Sequence, residues 1–192
     1  MFLYRKTYST LFSSSINFLY FLMADLVSAD SSAEEEKTKI SLTGNRTEGI
    51  DTNKIVEIVE EAGYWRKANA IHNWFVENVQ DGMDDCREYY VSEEQLRNLL
   101  SLVDTVLKES KLVDGTVVTG YLIKDGKEEP VLRKGKVIEN PTVAERLLPT
   151  RNGFFFGGTE YDEDYIQDLE STKRILEEAL AKGGDYYYSS SW

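Results

Sequence analysis

The amino-acid sequence predicts a mainly α fold: a compact helical domain of four to five helices, with a small β-hairpin insertion as its α+β component. Several segments place apolar residues three and four positions apart, which is the spacing of an amphipathic helix. Only three of the 192 residues are proline, and one stretch alone, residues 116–138, is rich in strand formers. The hydrophobic fraction of 41% and the charged fraction of 29% are ordinary for a globular protein.

The first 48 residues differ in composition from the rest of the chain. Residues 1–22 contain Arg5 and Lys6 but no acid, although the whole chain holds 34 acidic residues. We interpret residues 1–22 as an extension upstream of a translation start at Met23, and the alternative is a secretory signal that ends near residue 29. Residues 23–48 are small, polar and acidic, a composition that predicts a disordered linker.

Residues 49–182 are predicted to form a single folded domain. The first helix is expected over residues 53–62, where apolar residues form one stripe that Gly63 ends. A second helix is expected over residues 64–79, because its apolar and polar residues separate onto opposite faces. Thr52 or Asn53 can cap the start of the first helix.

The third predicted helix, residues 93–108, is marked by both its cap and its apolar face. Ser92 occupies the position before the helix, and Gln95 stands at the reciprocal position of a capping box. Leucine and valine recur along the segment at helical spacing. The sequence therefore predicts a helix that buries one continuous stripe.

The segment after the third helix changes character. Residues 116–138 contain strand formers on both sides of Asp125-Gly126, which is a hairpin turn signal. A short helix bounded by two prolines follows, and a final helix is expected over residues 162–182. The aromatic tail, residues 183–192, has two open placements, since it can fold back over Trp74 or dock elsewhere.

Charge and residue counts exclude several classes of function. The net charge of −12 argues against general binding to nucleic-acid backbones and against docking on anionic membranes. Cys86 is the single cysteine and His72 the single histidine, so an internal disulfide is impossible and a structural zinc site lacks ligands. We expect no metal and no cofactor.

The most suggestive feature is a loop in which three consecutive phenylalanines stand between glycines. Glycine permits close backbone approach to a ligand, and the loop directly precedes the last predicted helix. The alternative is a tight turn that plugs its rings between helices. The candidate ligand- or partner-binding residues here are Gly153, Phe154, Phe155, Phe156, Gly157 and Tyr161.

A polar, partly basic strip lies on the second predicted helix. Arg66, Asn69 and Asn73 share the face opposite the apolar one, and they are candidates to hold an anionic ligand or the acids of a partner. Trp74 lies near neither face and needs cover from another element or from a partner. The alternative for the strip is an ordinary solvated helix face.

His72 is the weak catalytic candidate, because its unperturbed side chain titrates near neutral pH. A general base requires a carboxylate within hydrogen-bond reach, and Asp84, Asp85 and Asp162 are the candidate partners. The alternative is a histidine at the edge of the core with its hydrogen bonds satisfied. Cys86 lies beside acids that raise a thiol pKa, so a Cys–His nucleophile pair is not expected.

Three stretches carry a resemblance to a known group of proteins. They are residues 61–96 (EAGYWRKANAIHNWFVENVQDGMDDCREYYVSEEQL), residues 147–172 (LLPTRNGFFFGGTEYDEDYIQDLEST) and the tail motif YYYSSSW. Together they resemble a small family of uncharacterised bacteriophage proteins. The resemblance implies a phage- or prophage-encoded protein in the host cytoplasm, and it implies no reaction. Residues 1–40 and the insertion at residues 116–138 lie outside the pattern.

These observations favour an accessory viral binding protein without catalysis, which occludes a host factor or sequesters a small ligand. Its expected partner is therefore a host protein or a small ligand, with no nucleic acid and no membrane. One alternative is a small enzyme that acts on nucleotides through His72 and a nearby aspartate. Another is a minor virion or assembly component. If residues 1–29 are a signal, the expected location becomes secreted rather than the host cytoplasm.

Overall fold

The computed structural model describes residues 1–8, 49–51, 54–55, 57–124, 127–153 and 156–191. The chain divides into two compact units, one formed by Met1–Arg5 with Glu60–Trp192 and the other by Lys6–Val59. The predicted linker, residues 23–48, lies outside the described residues. Residues 9–22 of the predicted upstream segment also lie outside them. No helix in the described part of the chain has the length and apolar character needed to cross a membrane.

The described residues form six strands and four helices, arranged as two sheets. The larger sheet has the strand order β2-β1-β6-β3, and β4 pairs with β5 in a separate two-stranded sheet. The elements are β1 (Phe2–Tyr8), β2 (Glu57–Tyr64), α1 (Asn69–Asn78), β3 (Tyr89–Val91), α2 (Glu93–Glu109), β4 (Leu112–Lys124), β5 (Lys127–Ile138), α3 (Thr142–Leu147), α4 (Glu163–Lys182) and β6 (Asp185–Ser189).

The protein is an α+β fold with substantial sheet, so the prediction of a mainly α fold is wrong. The segment predicted as the first helix, residues 53–62, overlaps strand β2. Its two isoleucines and two valines are β-branched and favour strands. Pairing with β1 outweighs an apolar spacing that fits a short helix equally well. Strands β1 and β6, from the two ends of the chain, complete the same sheet.

The larger sheet buries one face, because buried residues alternate with more exposed ones along its strands. Tyr186 and Tyr188 of β6 are buried, and Tyr187 between them is not. Leu3 of β1 is fully buried in the same core. The Tyr188 ring stacks on Phe75 of α1, with 3.9 Å between ring centroids. The aromatic tail is therefore a core strand, and its rings anchor the sheet to α1.

The helices cover the buried face and form the rest of the core. The predicted capping box is present in α2, where the Ser92 side chain accepts from the Gln95 backbone N–H and the Gln95 side chain accepts from Ser92 N–H. Helix α2 packs on α4. Trp65, just before α1, donates its indole N–H to the Thr172 hydroxyl of α4 at 2.8 Å. Helices α2 and α4 confirm the third and the last helix predicted from the sequence.

The predicted β insertion is a hairpin longer than expected, since β4 and β5 together cover residues 112–138 with only residues 125 and 126 between them. The predicted Asp125-Gly126 turn lies outside the described residues, although Lys124 and Lys127 on either side are cross-strand partners. The base of the hairpin is tied to the core, because Ile138 N–H donates to the carbonyl of Tyr161 at 2.9 Å.

Candidate functional site

His72 lies in α1 at the centre of a buried hydrogen-bonded group. Its Nδ1 is 2.6 Å from the Tyr188 hydroxyl, and its Nε2 is 3.1 Å from a carboxylate oxygen of Asp84. Since a carboxylate only accepts, Nε2 carries the proton and Nδ1 accepts from the tyrosine O–H. The Phe156 ring lies against the imidazole at 4.6 Å between centroids. His72 thus joins α1, β6 and the two loops that carry Asp84 and Phe156.

Burial controls the electrostatics of this group. Desolvation lowers the pKa of His72, and the Asp84 carboxylate opposes that shift only in part. Burial also raises the pKa of Tyr188. Only 2% of His72 is exposed, and both of its ring nitrogens are engaged. The histidine is therefore a neutral group that positions its neighbours, with neither nitrogen open to a substrate.

Two aromatic candidates, Trp74 and Phe156, lie in the interior rather than on a surface. Trp74 is buried with its ring edge-on to Phe75, and Phe156 is buried beneath the Arg151 guanidinium. Neither ring is available to a partner. Phe154 and Phe155, the other two aromatic candidates of the loop, lie outside the described residues.

Two amides of the polar strip hold the loop in place. Asn69 donates to the carbonyls of Arg151 and Gly158, at 2.9 and 2.8 Å, and accepts from Arg151 N–H at 2.7 Å. Asn73 donates to the carbonyl of Pro149 at 3.1 Å. These side chains bind protein backbone. Their contribution to a ligand site is to fix the shape of the loop between residues 149 and 158.

Gly157 and Tyr161 fit the same structural role. Gly157 has a φ of +93°, and a Cβ there would lie 2.8 Å from the carbonyl oxygen of Lys67, so only glycine allows this approach. The Tyr161 hydroxyl accepts from Thr150 N–H at 3.1 Å, and its ring contacts Tyr165. A Cβ on Gly153 would collide with the Phe156 ring. The loop is closely fitted to α1 and α4.

This loop forms one wall of a cavity of about 330 Å³. Three of the predicted binding residues, Arg66, Asn69 and Gly157, line it together, whereas Trp74 and Tyr161 do not. Val118 of the hairpin and the first turns of α4 complete the lining. The charged lining residues are the bases Arg66 and Lys67 and the acids Glu160, Asp162, Asp164 and Asp168.

Two acids of the cavity, Asp162 and Asp168, have raised pKa values. Burial raises the pKa of Asp168 to about 6, with smaller contributions from the nearby charges of Asp164 and Asp162. Burial also raises the pKa of Asp162, although that carboxylate caps α4 by accepting from two backbone N–H groups. Among the described residues, Asp168 makes no side-chain hydrogen bond. Its carboxylate is an acceptor without a donor.

The arrangement suits recognition of a polar group. A positively charged nitrogen beside Asp168 would supply the missing donor and charge, while Arg66 and Lys67 would offer donors to an anionic part of the same molecule. The described residues contain no group of three or more His, Cys, Asp or Glu placed to hold a metal ion.

Sequence reasoning did not single out Asp168, the cavity acid whose pKa burial raises to about 6. Asp164 and Asp168 are one helical turn apart, and Asp162 precedes them at the cap, a spacing that places all three at one end of the helix. Because the chain contains 34 acidic residues, the spacing of these three did not indicate that any of them would be buried. No family model, no curated protein and no solved structure matches this chain.

Proposed function

We propose that the protein is a phage-encoded accessory protein of the host cytoplasm that sequesters a small ligand bearing a positively charged nitrogen. The observation that carries the proposal is the half-buried Asp168 carboxylate, which lines a cavity of about 330 Å³ and accepts no hydrogen bond from a described residue. No reaction is required of the site. Binding alone would give the Asp168 carboxylate a hydrogen-bond donor of opposite charge.

The lining narrows the class of ligand. Four carboxylates outnumber the two bases, which favours a cationic or zwitterionic molecule over an anion. The volume is near the lower end of ligand pockets, roughly 300–1,000 Å³. A molecule of the size of an amino acid, a short polyamine or an amino-substituted nucleoside fits these limits. Arg66 and Lys67 would contact the carboxylate or hydroxyl groups of such a ligand.

The proposal is tested by isothermal titration calorimetry with a panel of small amines, amino acids and nucleosides. We expect cationic or zwitterionic members to bind, and Asp168→Asn to weaken them at least about tenfold, since a charge-assisted hydrogen bond is lost. Binding should also weaken as the pH falls through about 6, where Asp168 takes up a proton.

Glu170→Gln is the matched control, because Glu170 is an exposed acid on the same helix and does not line the cavity. It should leave the affinity unchanged. Equal losses in both variants, or binding confined to anionic ligands, would reject the proposed site. A panel without a binder, extended to native mass spectrometry of protein from host cells with no added mass, would reject sequestration itself.

One observation supports the alternative of an enzyme: His72 Nε2 lies 3.1 Å from a carboxylate oxygen of Asp84. It is weakened by the burial of the histidine and by the use of both its nitrogens. Catalysis on nucleotides therefore stays a prediction. An activity screen in which His72→Ala abolishes a turnover seen with the parent protein would restore it.

A further inference from the structure

The acids that line the cavity differ in whether they already have partners. Asp162 caps α4 by accepting from two backbone N–H groups, and a carboxylate oxygen of Glu160 accepts from Thr159 N–H at 2.9 Å. In the described part of the chain, the Asp164 and Asp168 side chains accept no hydrogen bond and form no ion pair. Two of the four acids are therefore open to a ligand.

The two bases of the lining are also without partners. Arg66 and Lys67 lie in the bend before α1 and are exposed, and neither side chain forms a hydrogen bond or an ion pair with another described residue. The open acids and the bases thus line one cavity without pairing with each other. A single molecule that carries charges of both signs can compensate both groups.

The uncharged side chains of the lining offer little to a ring or to a neutral polar group. Among the described residues that line the cavity, Tyr165 is the only aromatic one and Val118 the only aliphatic one. Tyr165 is 5% exposed, its hydroxyl donates to a backbone carbonyl, and its ring contacts Tyr161. Asn69 and Thr150 already donate to backbone carbonyls of the loop. A nucleobase would find no ring face on which to stack, which argues against a nucleoside.

The lining charges distinguish among the remaining types of ligand. A polyamine carries cations only, so Arg66 and Lys67 would repel it and would be left without an anion. An acidic amino acid would bring a second anion to a lining in which acids outnumber bases four to two. A neutral amino acid would supply one cation for two open carboxylates. An amino acid with a basic side chain supplies two cationic nitrogens together with one carboxylate.

The spacing of the open acids suits two nitrogens of one molecule. Asp164 and Asp168 are one turn apart in α4, so their Cα atoms are separated by about 6 Å along the helix axis. Lysine carries its second nitrogen at the end of a flexible stem of about four carbons. We propose that the cavity binds a free amino acid with a basic side chain, such as lysine. Its two nitrogens bind Asp164 and Asp168, and its carboxylate binds Arg66. This inference rests on the proposed function and narrows its ligand class.

Lysine and three analogues test the assignment on the full parent chain, by isothermal titration calorimetry near neutral pH. Norleucine lacks the side-chain nitrogen of lysine, ε-aminocaproate lacks the α-nitrogen, and cadaverine lacks the carboxylate. We expect lysine to bind at least about tenfold more tightly than each analogue, since each analogue loses one charge-assisted contact. An analogue that equals lysine in affinity overturns the inference.

The same titrations distinguish failure of this inference from failure of the proposed function. If other cationic ligands bind while lysine does not, a basic amino acid is not the ligand, although sequestration of a positively charged nitrogen still stands. Tighter binding of glutamate than of lysine likewise overturns this inference alone, because glutamate also has a cationic nitrogen. If no cationic or zwitterionic ligand binds, both proposals fail.

Arg66→Gln tests the carboxylate contact with a matched pair of ligands. We expect it to weaken lysine binding at least about tenfold and to leave cadaverine binding unchanged, because cadaverine has no carboxylate. Arg146→Gln is the control, since Arg146 is exposed and its substitution removes the same charge outside the cavity. It should leave the affinity for lysine unchanged. Equal losses of lysine binding in the two variants, or equal losses of lysine and cadaverine binding in Arg66→Gln, overturn the assignment.

Discussion

At the scale of single residues, burial moves the pKa of His72 below its ordinary value of about 6.5. The folded state therefore resists protonation, and the unfolded state takes up a proton first as the pH falls. We expect the free energy of unfolding to decrease as the pH falls through about 6.5. Urea denaturation over a pH series measures it, and His72→Gln should remove this dependence. An unchanged slope in that variant would contradict a neutral, buried His72.

Asp168 has the opposite effect on stability. Its folded-state pKa of about 6 is above the ordinary value of 3.8, so the ionised carboxylate is disfavoured in the folded protein. Stability from this group is present at acidic pH and is lost as the pH rises from 3.8 towards 6. We expect Asp168→Asn to raise Tm at neutral pH and to change it little near pH 4. Thermal denaturation at both pH values checks the sign, and a Tm lowered at neutral pH would contradict it.

Gln80 offers a test of an unpaired polar group. Its side chain is fully buried, and neither its amide nitrogen nor its oxygen has a hydrogen-bond partner among the described residues. A buried unsatisfied group costs about 1–3 kcal/mol. We expect Gln80→Met, a swap of similar volume, to raise the free energy of unfolding by about 1 kcal/mol. Destabilisation in chemical denaturation would show that the amide has a partner in solution.

At the scale of elements, the loop before α4 depends on the conformation of Gly157. An alanine there would adopt a left-handed φ and would press its Cβ against the Lys67 carbonyl. We expect Gly157→Ala to cost about 1–3 kcal/mol of stability and to weaken ligand binding, since Lys67 lines the cavity.

Gly82→Ala is the variant that separates the cost of backbone strain from the cost of a Cβ collision. Gly82 also has a positive φ, of +78°, but a Cβ there meets nothing within 4 Å. It should be less destabilising than Gly157→Ala by chemical denaturation, with no effect on binding. Equal losses would assign the whole cost to backbone strain rather than to the close approach.

At the scale of the whole molecule, the larger sheet requires both ends of the chain. Strand β1 lies between β2 and β6, and Leu3 is fully buried. We expect a chain that begins at Met23 to lose cooperative thermal unfolding, because it lacks an interior strand. Leu3→Ala in the full chain should cost about 2–5 kcal/mol. A Met23 form with an unchanged Tm by circular dichroism would mean that β1 contributes little to the fold.

Local sequence signals were sufficient where the interactions are local. Ser92 and Gln95 cap α2 through bonds that span three residues, and Asp162 caps α4 in the same way. The strand formers around residues 125 and 126 likewise pair across a short connection. These elements depend on interactions between residues that are close together in the chain, so the amino-acid sequence by itself predicts them.

Other elements depended on partners far away in the chain. Strand β2 has an apolar spacing compatible with a helix, and the tail has an alternation that is meaningful only beside β1 and β3. Tyr188 stacks on Phe75 and bonds to His72 across more than a hundred residues. Pairing over such distances leaves no local signature, and the sheet was therefore underestimated.

The candidate site divides in the same way. The sequence alone pointed to Arg66, Asn69 and the glycine-flanked loop, because the spacing of polar residues and the positions of glycines can be recognised without knowing the fold. Only the tertiary structure decided that Trp74 is interior and that Asp168 lines a cavity, where burial raises its pKa. Burial decides both outcomes: it keeps the Trp74 ring from any partner, and it raises the pKa of Asp168 and Asp162 among the many acids of this chain.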